Sequence, residues 1–422
     1  MILKKYMNIK KTKLFYLMAF VLIILGCSGD NDAPFSTDST DSLTTTKASV
    51  DNSCSSEQLA DNTLNILYSD PPTLDPHIAQ DSTSASIILE LYSGLVTLGT
   101  DLQIAPDLAE SWTISDDGMK YTFTLRDNAK FHNGKKITAS DFLWSFNRAA
   151  NPSTTSTTAQ DYLGDIIGVS DVIAGKTDTI SGIKMIDTQT IEINIDAPKA
   201  YFLAKLTYPV AFVLDKQNLS DPNWIEKPNG SGPFTLDEYL VGEKLVLKRN
   251  DNWHKNIAKL DYVSMNLAGG SAMAMYENCE IDITGVGMSD LERVLDPSNP
   301  LNNDVVVAPL DFSQYYIGFN LNEPPFDDIY FRQALAYSIN KELIATEVLS
   351  DLVKPAYGIL PPGFPGYNEN VTGFKFDEAS AKEALAKSKY SDITTLPRLI
   401  LSVPGTGGSA GLDIEVILEM WK

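Results

Sequence analysis

Apolar and polar positions along the chain follow two different periods. Residues 64–68, Leu-Asn-Ile-Leu-Tyr, form a short apolar run of strand length. Tyr121, Phe123 and Leu125 alternate with Lys120, Thr122, Thr124 and Arg126, and Ile191, Ile193 and Ile195 alternate with Glu192 and Asn194. This is the period-two pattern of strands with one buried face, and Pro198 stops the second of them. Leu245 and Leu247 repeat the pattern, and residues 315–321 and 399–403 also read as strands. Over 84–95 the spacing changes, placing Ile87, Ile88, Leu91 and Leu95 on one helical face. Thr138 and Asp141 make a capping box that opens a helix through Asn147. Further helices are predicted over 327–340, 341–350 and 377–388, and from Leu412 onward. Asn133-Gly134 marks a turn. The chain is mixed α/β, without an internal repeat. Its Pro-, Ser-, Thr- and Gly-rich stretches at 151–158 and 361–365 are surface loops. No sharp linker separates domains, as expected where a chain crosses between lobes more than once.

The N-terminus has a different character. Residues 1–13 carry Lys4, Lys5, Lys10, Lys11 and Lys13 and no acid, and 14–26 are almost wholly apolar. A positive segment followed by a short apolar one is a signal peptide, too short to span a membrane comfortably. It ends Ile24-Leu25-Gly26-Cys27, which resembles the bacterial lipobox, where the cysteine is lipidated and becomes the new N-terminus. A plain secretory signal with a chance cysteine is the alternative. Residues 28–57, rich in Ser, Thr, Asp and Asn, read as a solvated tether between Cys27 and a folded body.

Composition narrows the function. The chain has 422 residues, 33 Lys+Arg against 55 Asp+Glu, and a formal charge of −22. Loss of residues 1–26, with their five lysines, takes this to about −27. Such a chain is a poor nucleic-acid binder and a poor ligand for anionic lipid. Length suggests two or three domains. His77, His132 and His254 are too scattered for a histidine-built metal site. The three cysteines, Cys27, Cys54 and Cys279, make neither a disulfide framework nor a zinc site. Cys54 reads as an unpaired thiol in the tether and Cys279 as a buried one, with their pairing left open.

Motifs of covalent chemistry are present but lack their partners. Gly407-Gly408-Ser409-Ala410-Gly411 matches G-x-S-x-G, yet that mechanism needs a histidine after the serine, and all three histidines precede it. Gly405 to Ala410 also matches G-x-G-x-x-A, without the acidic residue expected about 20 positions later. There is no phosphate-binding G-x-x-x-x-G-K-[ST] loop. Asp70, Asp75 and Asp81 lie in a Pro/Ser loop and do not by themselves make a glycosidase pair. Trp112, Trp144, Trp224, Trp253 and Trp421 read mostly as core; Tyr315, Tyr316 and Tyr367 are candidates to line a ligand cleft.

An ordered series of stretches carries a family resemblance. It runs Pro72-Thr73-Leu74-Asp75-Pro76-His77, then Glu90-Leu91-Tyr92-Ser93-Gly94-Leu95, then Pro106-Asp107-Leu108-Ala109-Glu110-Ser111-Trp112. Next come the run from Tyr121 to Gly134 and Thr138-Ala139-Ser140-Asp141-Phe142. Gly232-Pro233-Phe234, Lys248-Arg249-Asn250-Asp251-Asn252-Trp253, Pro324-Pro325-Phe326-Asp327-Asp328 and Arg332-Gln333-Ala334-Leu335 complete it. From about Leu64 onward the chain resembles the family 5 extracellular solute-binding proteins of ABC importers, and residues 171–184 resemble the oligopeptide-binding branch.

The resemblance implies a two-lobed, hinged α/β periplasmic-binding-protein fold, class II-like. It implies a leader over 1–26, a tether over 27–57, lobe I over 58–285 with a subdomain at about 79–174, and lobe II over 286–422. It also implies that lobe II is incomplete, because family members continue past a Trp-Lys like Trp421-Lys422. The function implied is capture of peptides, oligopeptides first, for an ABC permease and its ATPase subunits. It needs no cofactor and no catalysis, and the protein is a monomer held at the outer face of the cytoplasmic membrane or in the periplasm. Carried over by position, Gln80, Asp81 and Ser82 meet the peptide main chain. Thr158 and Gly285 fall where oligopeptide binders have tyrosines, and a cleft short of aromatics suits a different or bulkier ligand. The rivals are a sugar, metal chelate or haem in the same fold, and a secreted lipid-anchored hydrolase using Ser409 or a carboxylate pair.

Overall fold

The computed structural model describes residues 62–306, 312–364, 366–403 and 411–422. The leader, the tether with Cys27 and Cys54, Pro365 and residues 404–410 with Ser409 lie outside them. The chain divides into Met1–Asp51 and Asn52–Lys422, and every described residue belongs to the second unit.

In chain order the elements are β1 (Thr63–Leu67), α1 (Ser82–Leu91), β2 (Val96–Leu98), β3 (Ile104–Pro106), β4 (Ala109–Ile114) and β5 (Lys120–Leu125). Then follow α2 (Ala139–Ala150), the short helices α3 (Ala159–Leu163) and α4 (Val169–Ile173), β6 (Ile183–Met185), β7 (Thr190–Asn194) and α5 (Phe202–Lys205). The strands β8 (Phe234–Leu240), β9 (Lys244–Arg249) and β10 (Tyr262–Asn266) lead into α6 (Ala272–Glu277) and α7 (Met288–Leu295). The remainder is helical: α8 (Ile329–Ser338), α9 (Lys341–Leu343), α10 (Glu378–Lys387) and α11 (Leu412–Trp421).

Two four-stranded sheets organise the first part. One has the order β1-β10-β9-β8, with β1 parallel to β10 and the other pairs antiparallel. A parallel pair needs a long crossover, and here the crossover contains the whole second sheet, β4-β5-β7-β6, which is antiparallel throughout. The alternation predicted for β5 and β7 is what packs that sheet: Phe123, Leu125, Ile191 and Ile193 enter a core with Phe142 and Phe146 of α2. The Leu245-Val246-Leu247 run of β9 is buried residue after residue, as an interior strand covered on both faces requires. It shares a second core with Leu74, Ile87, Ile88, Leu91, Phe212 and Trp224. Each such side chain contributes about 1.5–3 kcal/mol on burial.

Helix α1 ends at Leu91, earlier than the predicted Leu95. The cause is a clasp. Ser231 N and Gly232 N both donate to Leu91 O, at 3.0 and 2.9 Å, and Ser93 N donates to Ser231 Oγ at 3.0 Å. His132 N donates to Gly230 O at 2.8 Å, and Asn250 Nδ2 donates to Gly232 O at 2.9 Å. Four of the stretches that carry the resemblance therefore meet at one point. A Cβ on Gly230 would lie 1.9 Å from Leu91 O, and one on Gly232 2.3 Å from Glu90 O, both rigid backbone. Gly232→Ala is expected to destabilise the protein by about 2–3 kcal/mol, read as a lower urea midpoint at constant slope. An unchanged midpoint would refute the clasp.

The capping box at Thr138 and Asp141 is formed, and α2 runs past Asn147 to Ala150. Asp328 and Asp377 cap α8 and α10 through their carboxylates. The strands expected over 315–321 and 399–403 are absent. Both stretches are apolar enough, but among the described residues neither has a neighbouring strand, and without a ladder an extended segment is not a strand. Tyr316 and Ile400 are each 77% exposed.

Candidate functional site

The site is built where β1 delivers the chain to α1. In open sheets with parallel strands, ligands gather outside the carboxyl ends of those strands, and this is such an end. Tyr68 follows β1, and its hydroxyl donates to Thr83 O of α1 at 3.3 Å. Between them, Asp70 is held by Tyr239 Oη at 2.7 Å and Gly242 N at 2.9 Å. The loop then runs through buried Leu74–His77 to Gln80, which is exposed.

Gln80, Asp81 and Ser82 stand together. Asp81 is the N-cap of α1, its Oδ1 accepting from Ser84 N at 2.7 Å, and Ser82 is the first residue of the helix. Gln80 Oε1 accepts from Thr157 Oγ1 at 2.8 Å, so the 151–158 loop closes onto this stretch. Thr158 is half-buried and opens α3, and Tyr162 N donates to its carbonyl at 3.1 Å. Tyr162 stacks on Tyr208 with ring centroids 3.8 Å apart and an interplanar angle of 11°. Burial pushes the Tyr208 phenol above its ordinary range, with further contributions from Tyr162 and the Asp81 carboxylate. Thr157, Tyr162 and Tyr208 were not singled out in the sequence. Tyr162 had one legible signal, its place a helical turn beyond Thr158; Tyr208, some 46 positions further on, had none.

Gly285 lies elsewhere. It follows a segment that pairs with β1 through a parallel bridge between Ile66 and Ile283, with Asp282 N donating to Asn65 O at 2.8 Å and Asn65 N to Asp282 Oδ2 at 2.6 Å. A Cβ on Gly285 would have nothing within 4 Å. Tyr315, Tyr316 and Tyr367 are exposed and are not joined to the Gln80–Thr157 patch by any described contact.

Two carboxylates, Asp75 and Asp107, are buried and paired. Arg148 grips Asp75 with both nitrogens, at 3.0 and 2.6 Å, and its guanidinium lies 5.6 Å from the Trp224 ring centroid. Asp75 also accepts from His77 N at 3.0 Å, and His77 Nε2 lies 3.0 Å from Phe212 O. Asp107 meets His254 Nε2 at 2.9 Å and Lys255 Nζ at 2.7 Å. Burial alone would raise the Asp107 carboxyl; the bonds and charges of His254 and Lys255 hold it below the ordinary carboxylate range. The three histidines are thus structural, each tied to a backbone carbonyl or a carboxylate. Among the described residues no group of three His, Cys, Asp or Glu could hold a metal ion.

A small open cavity lies beside the segment that bridges to β1 at Ile283, lined by Tyr276, Glu277, Cys279, Asp282 and Asp304 among others. Its carboxylates are engaged: Glu277 by Arg293 at 2.7 Å, Asp282 by Asn65, and Asp304 by the Tyr276 phenol. Cys279 is half-buried and disulfide-bonded, a pairing that the sequence left open.

The sequence model for bacterial extracellular solute-binding proteins, family 5 Middle, matches residues 103–422. The probable deoxycholate-binding periplasmic protein YgiS of Escherichia coli K12 is 32% identical over 336 residues, covering 76% of this chain and 61% of its own. The dipeptide-binding protein DppE of Bacillus subtilis 168 is 31% identical over 350 residues, covering 79% and 63%. The chain thus spans less than two thirds of the length of these curated relatives. The solved structure of the Escherichia coli murein tripeptide binding protein MppA aligns with a TM-score of 0.70 at 30% identity, over 77% of this chain and 66% of that one. The fold class is therefore the α/β periplasmic-binding-protein fold. Among the described residues no helix is long and apolar enough to cross a membrane.

Proposed function

Because this chain belongs to the bacterial extracellular solute-binding proteins of family 5, we propose that it captures peptides outside the cytoplasmic membrane and delivers them to an ABC permease. What carries the reading is the family match together with relatives whose names specify a dipeptide and a murein tripeptide. Cys27 bears the lipid that holds the protein at the membrane, and residues 28–57 are the tether. Residues 58–285 form one lobe and 286–422 belong to the other. Gln80, Asp81 and Ser82 meet the peptide main chain, whose strand-like hydrogen bonds are blind to side-chain identity. The Tyr162–Tyr208 pair supplies the aromatic surface that Thr158 and Gly285 do not. No covalent chemistry is assigned to the chain.

A non-peptide solute is the second reading. It is favoured by the likeness to a probable deoxycholate-binding protein and by the small residues Thr158 and Gly285, which leave room for a bulky rigid ligand. Calorimetric titration with a tripeptide mixture, a pentapeptide mixture and deoxycholate separates the two. The peptide reading expects saturable heat with peptides and none with deoxycholate; the reverse result replaces it. Tyr208→Ala is expected to weaken peptide binding about tenfold and Tyr208→Phe to leave it nearly unchanged, since stacking rather than the hydroxyl is the contribution tested. Equal affinities for wild type and Tyr208→Ala would remove Tyr208 from the site.

A further inference from the structure

We infer that Asp81 and the stacked pair of Tyr162 and Tyr208 form a subsite for a positively charged side chain, so that the protein selects peptides carrying lysine or arginine. The inference rests on the peptide reading given above and names the substrate class within it. An extended peptide paired along residues 80–82 turns every second side chain toward the protein. The groups beside that stretch then decide which side chains are accepted.

The three residues come from elements that pack together. Asp81 caps α1, Tyr162 lies on α3, and Tyr208 precedes the turn at Pro209–Ala211, which packs against both helices. All three are half-buried, so each keeps part of its side chain at the surface. One oxygen of the Asp81 carboxylate is committed: Oδ1 accepts from Ser84 N at 2.7 Å and closes the first turn of α1. The other, Oδ2, accepts no hydrogen bond from a described residue, and no described lysine or arginine pairs with the group.

The cations nearby are spent on other carboxylates. Lys205 pairs with Asp165 at 2.7 Å and lies 5.2 Å from the Tyr201 ring centroid. Lys199 pairs with Asp165 and Asp196, both at 2.7 Å, and Arg148 is held by Asp75. Burial first, and then the exposed Asp161 carboxylate, push the Tyr162 phenol up against the opposing charge of Lys205. Burial, Tyr162 and Asp81 do the same for Tyr208. Both rings are therefore neutral at neutral pH, and a neutral phenol presents a face of negative potential that attracts a cation. An ammonium or guanidinium at the stack meets both a ring face and the uncommitted Asp81 oxygen. An apolar side chain meets the rings alone, and an acidic one is repelled by Asp81 and Asp161. The formal charge of −22 draws cationic ligands toward the protein from a distance.

The test is calorimetric titration of the full chain with three pairs of alanine tripeptides. Each pair carries lysine or norleucine at the first, second or third position. In at least one pair the lysine peptide is expected to bind about tenfold more tightly. That ratio should fall to about two or less in Asp81→Asn, and it should shrink in about 0.5 M sodium chloride. Asparagine is chosen because it caps a helix as well as aspartate does. Equal affinities for lysine and norleucine peptides in the wild type would overturn the subsite and leave the peptide reading standing. A lysine preference retained in Asp81→Asn would overturn the role of Asp81. If acetylating the peptide N-terminus, rather than replacing lysine, removes the effect of Asp81→Asn, the carboxylate meets the peptide amine and the side-chain assignment is overturned. No heat with any of these peptides overturns the peptide reading, and this inference with it.

Discussion

Arg148→Ala is expected to destabilise the protein by about 3–5 kcal/mol, the cost of leaving one member of a buried ion pair without its partner. Asp75 is 3% exposed, and Arg148 supplies both of its guanidinium contacts, at 3.0 and 2.6 Å. The remaining acceptor capacity of Asp75 is met by His77 N, a bond that cannot neutralise the carboxylate. The alanine variant therefore loses the pair, the cation over Trp224 and the packing of the arginine stem. Removing both charges together, in Asp75→Asn with Arg148→Met, should recover a large part of the loss, because no uncompensated charge stays buried. Urea unfolding of the single and double variants measures this. A single-variant loss below about 1 kcal/mol would mean that water reaches the pair.

Stability should also fall steeply between pH 6.5 and 4, before the ordinary carboxylate range is reached. His77 is fully buried, and its pKa is lowered from 6.5 to about 4 by that burial and then by the Arg148 charge, opposed by Asp75 and by the bond to Phe212 O. His132 is likewise lowered to about 4, by burial first, against bonds to the Gly232 and Pro228 carbonyls. Both are neutral in the folded protein at neutral pH. Between 6.5 and 4 the unfolded chain binds protons that the folded chain refuses, so unfolding becomes easier as pH falls and stability is fully present only above about 6.5. Each histidine accounts for about 3 kcal/mol across the window. Asp107, held below the ordinary carboxylate range, loses its contribution only at lower pH still. Urea midpoints at pH 7.5, 6, 5 and 4.5 test the slope, and a flat profile from 7 to 5 would show that these imidazoles are solvated. The two effects are coupled: Arg148→Ala removes a charge that depresses His77, so the folded-state pKa of His77 rises toward 6.5 and its share of the acid-driven loss of stability shrinks.

Period-two alternation identified β5 and β7 because an antiparallel sheet with one packed face writes its register into every second residue. Capping chemistry identified the start of α2 because the side chain that satisfies the first free N–H groups is local in sequence. Apolar runs at 315–321 and 399–403 were misread as strands for the complementary reason: strand identity is completed by a partner, and the sequence does not say whether one is adjacent. The early stop of α1 belongs to the same class, since it is imposed by Ser231 and Gly232, which lie some 140 positions away.

The motifs behave in the same way. As strings, they identified the family. Only the folded chain shows what several of them hold: Asp75 pairs with Arg148, Asp107 with His254, and Gly232 joins Leu91 and Asn250. The stacked pair of Tyr162 and Tyr208, the bond between Thr157 and Gln80, and the oxidised state of Cys279 were equally invisible. What the sequence determined by itself was everything set by short-range periodicity, capping and composition: the α/β class and the strongly acidic balance of charge. The tertiary structure decided which distant side chains share a neighbourhood, because those contacts depend on the closure of long loops, and no local pattern records where a loop returns.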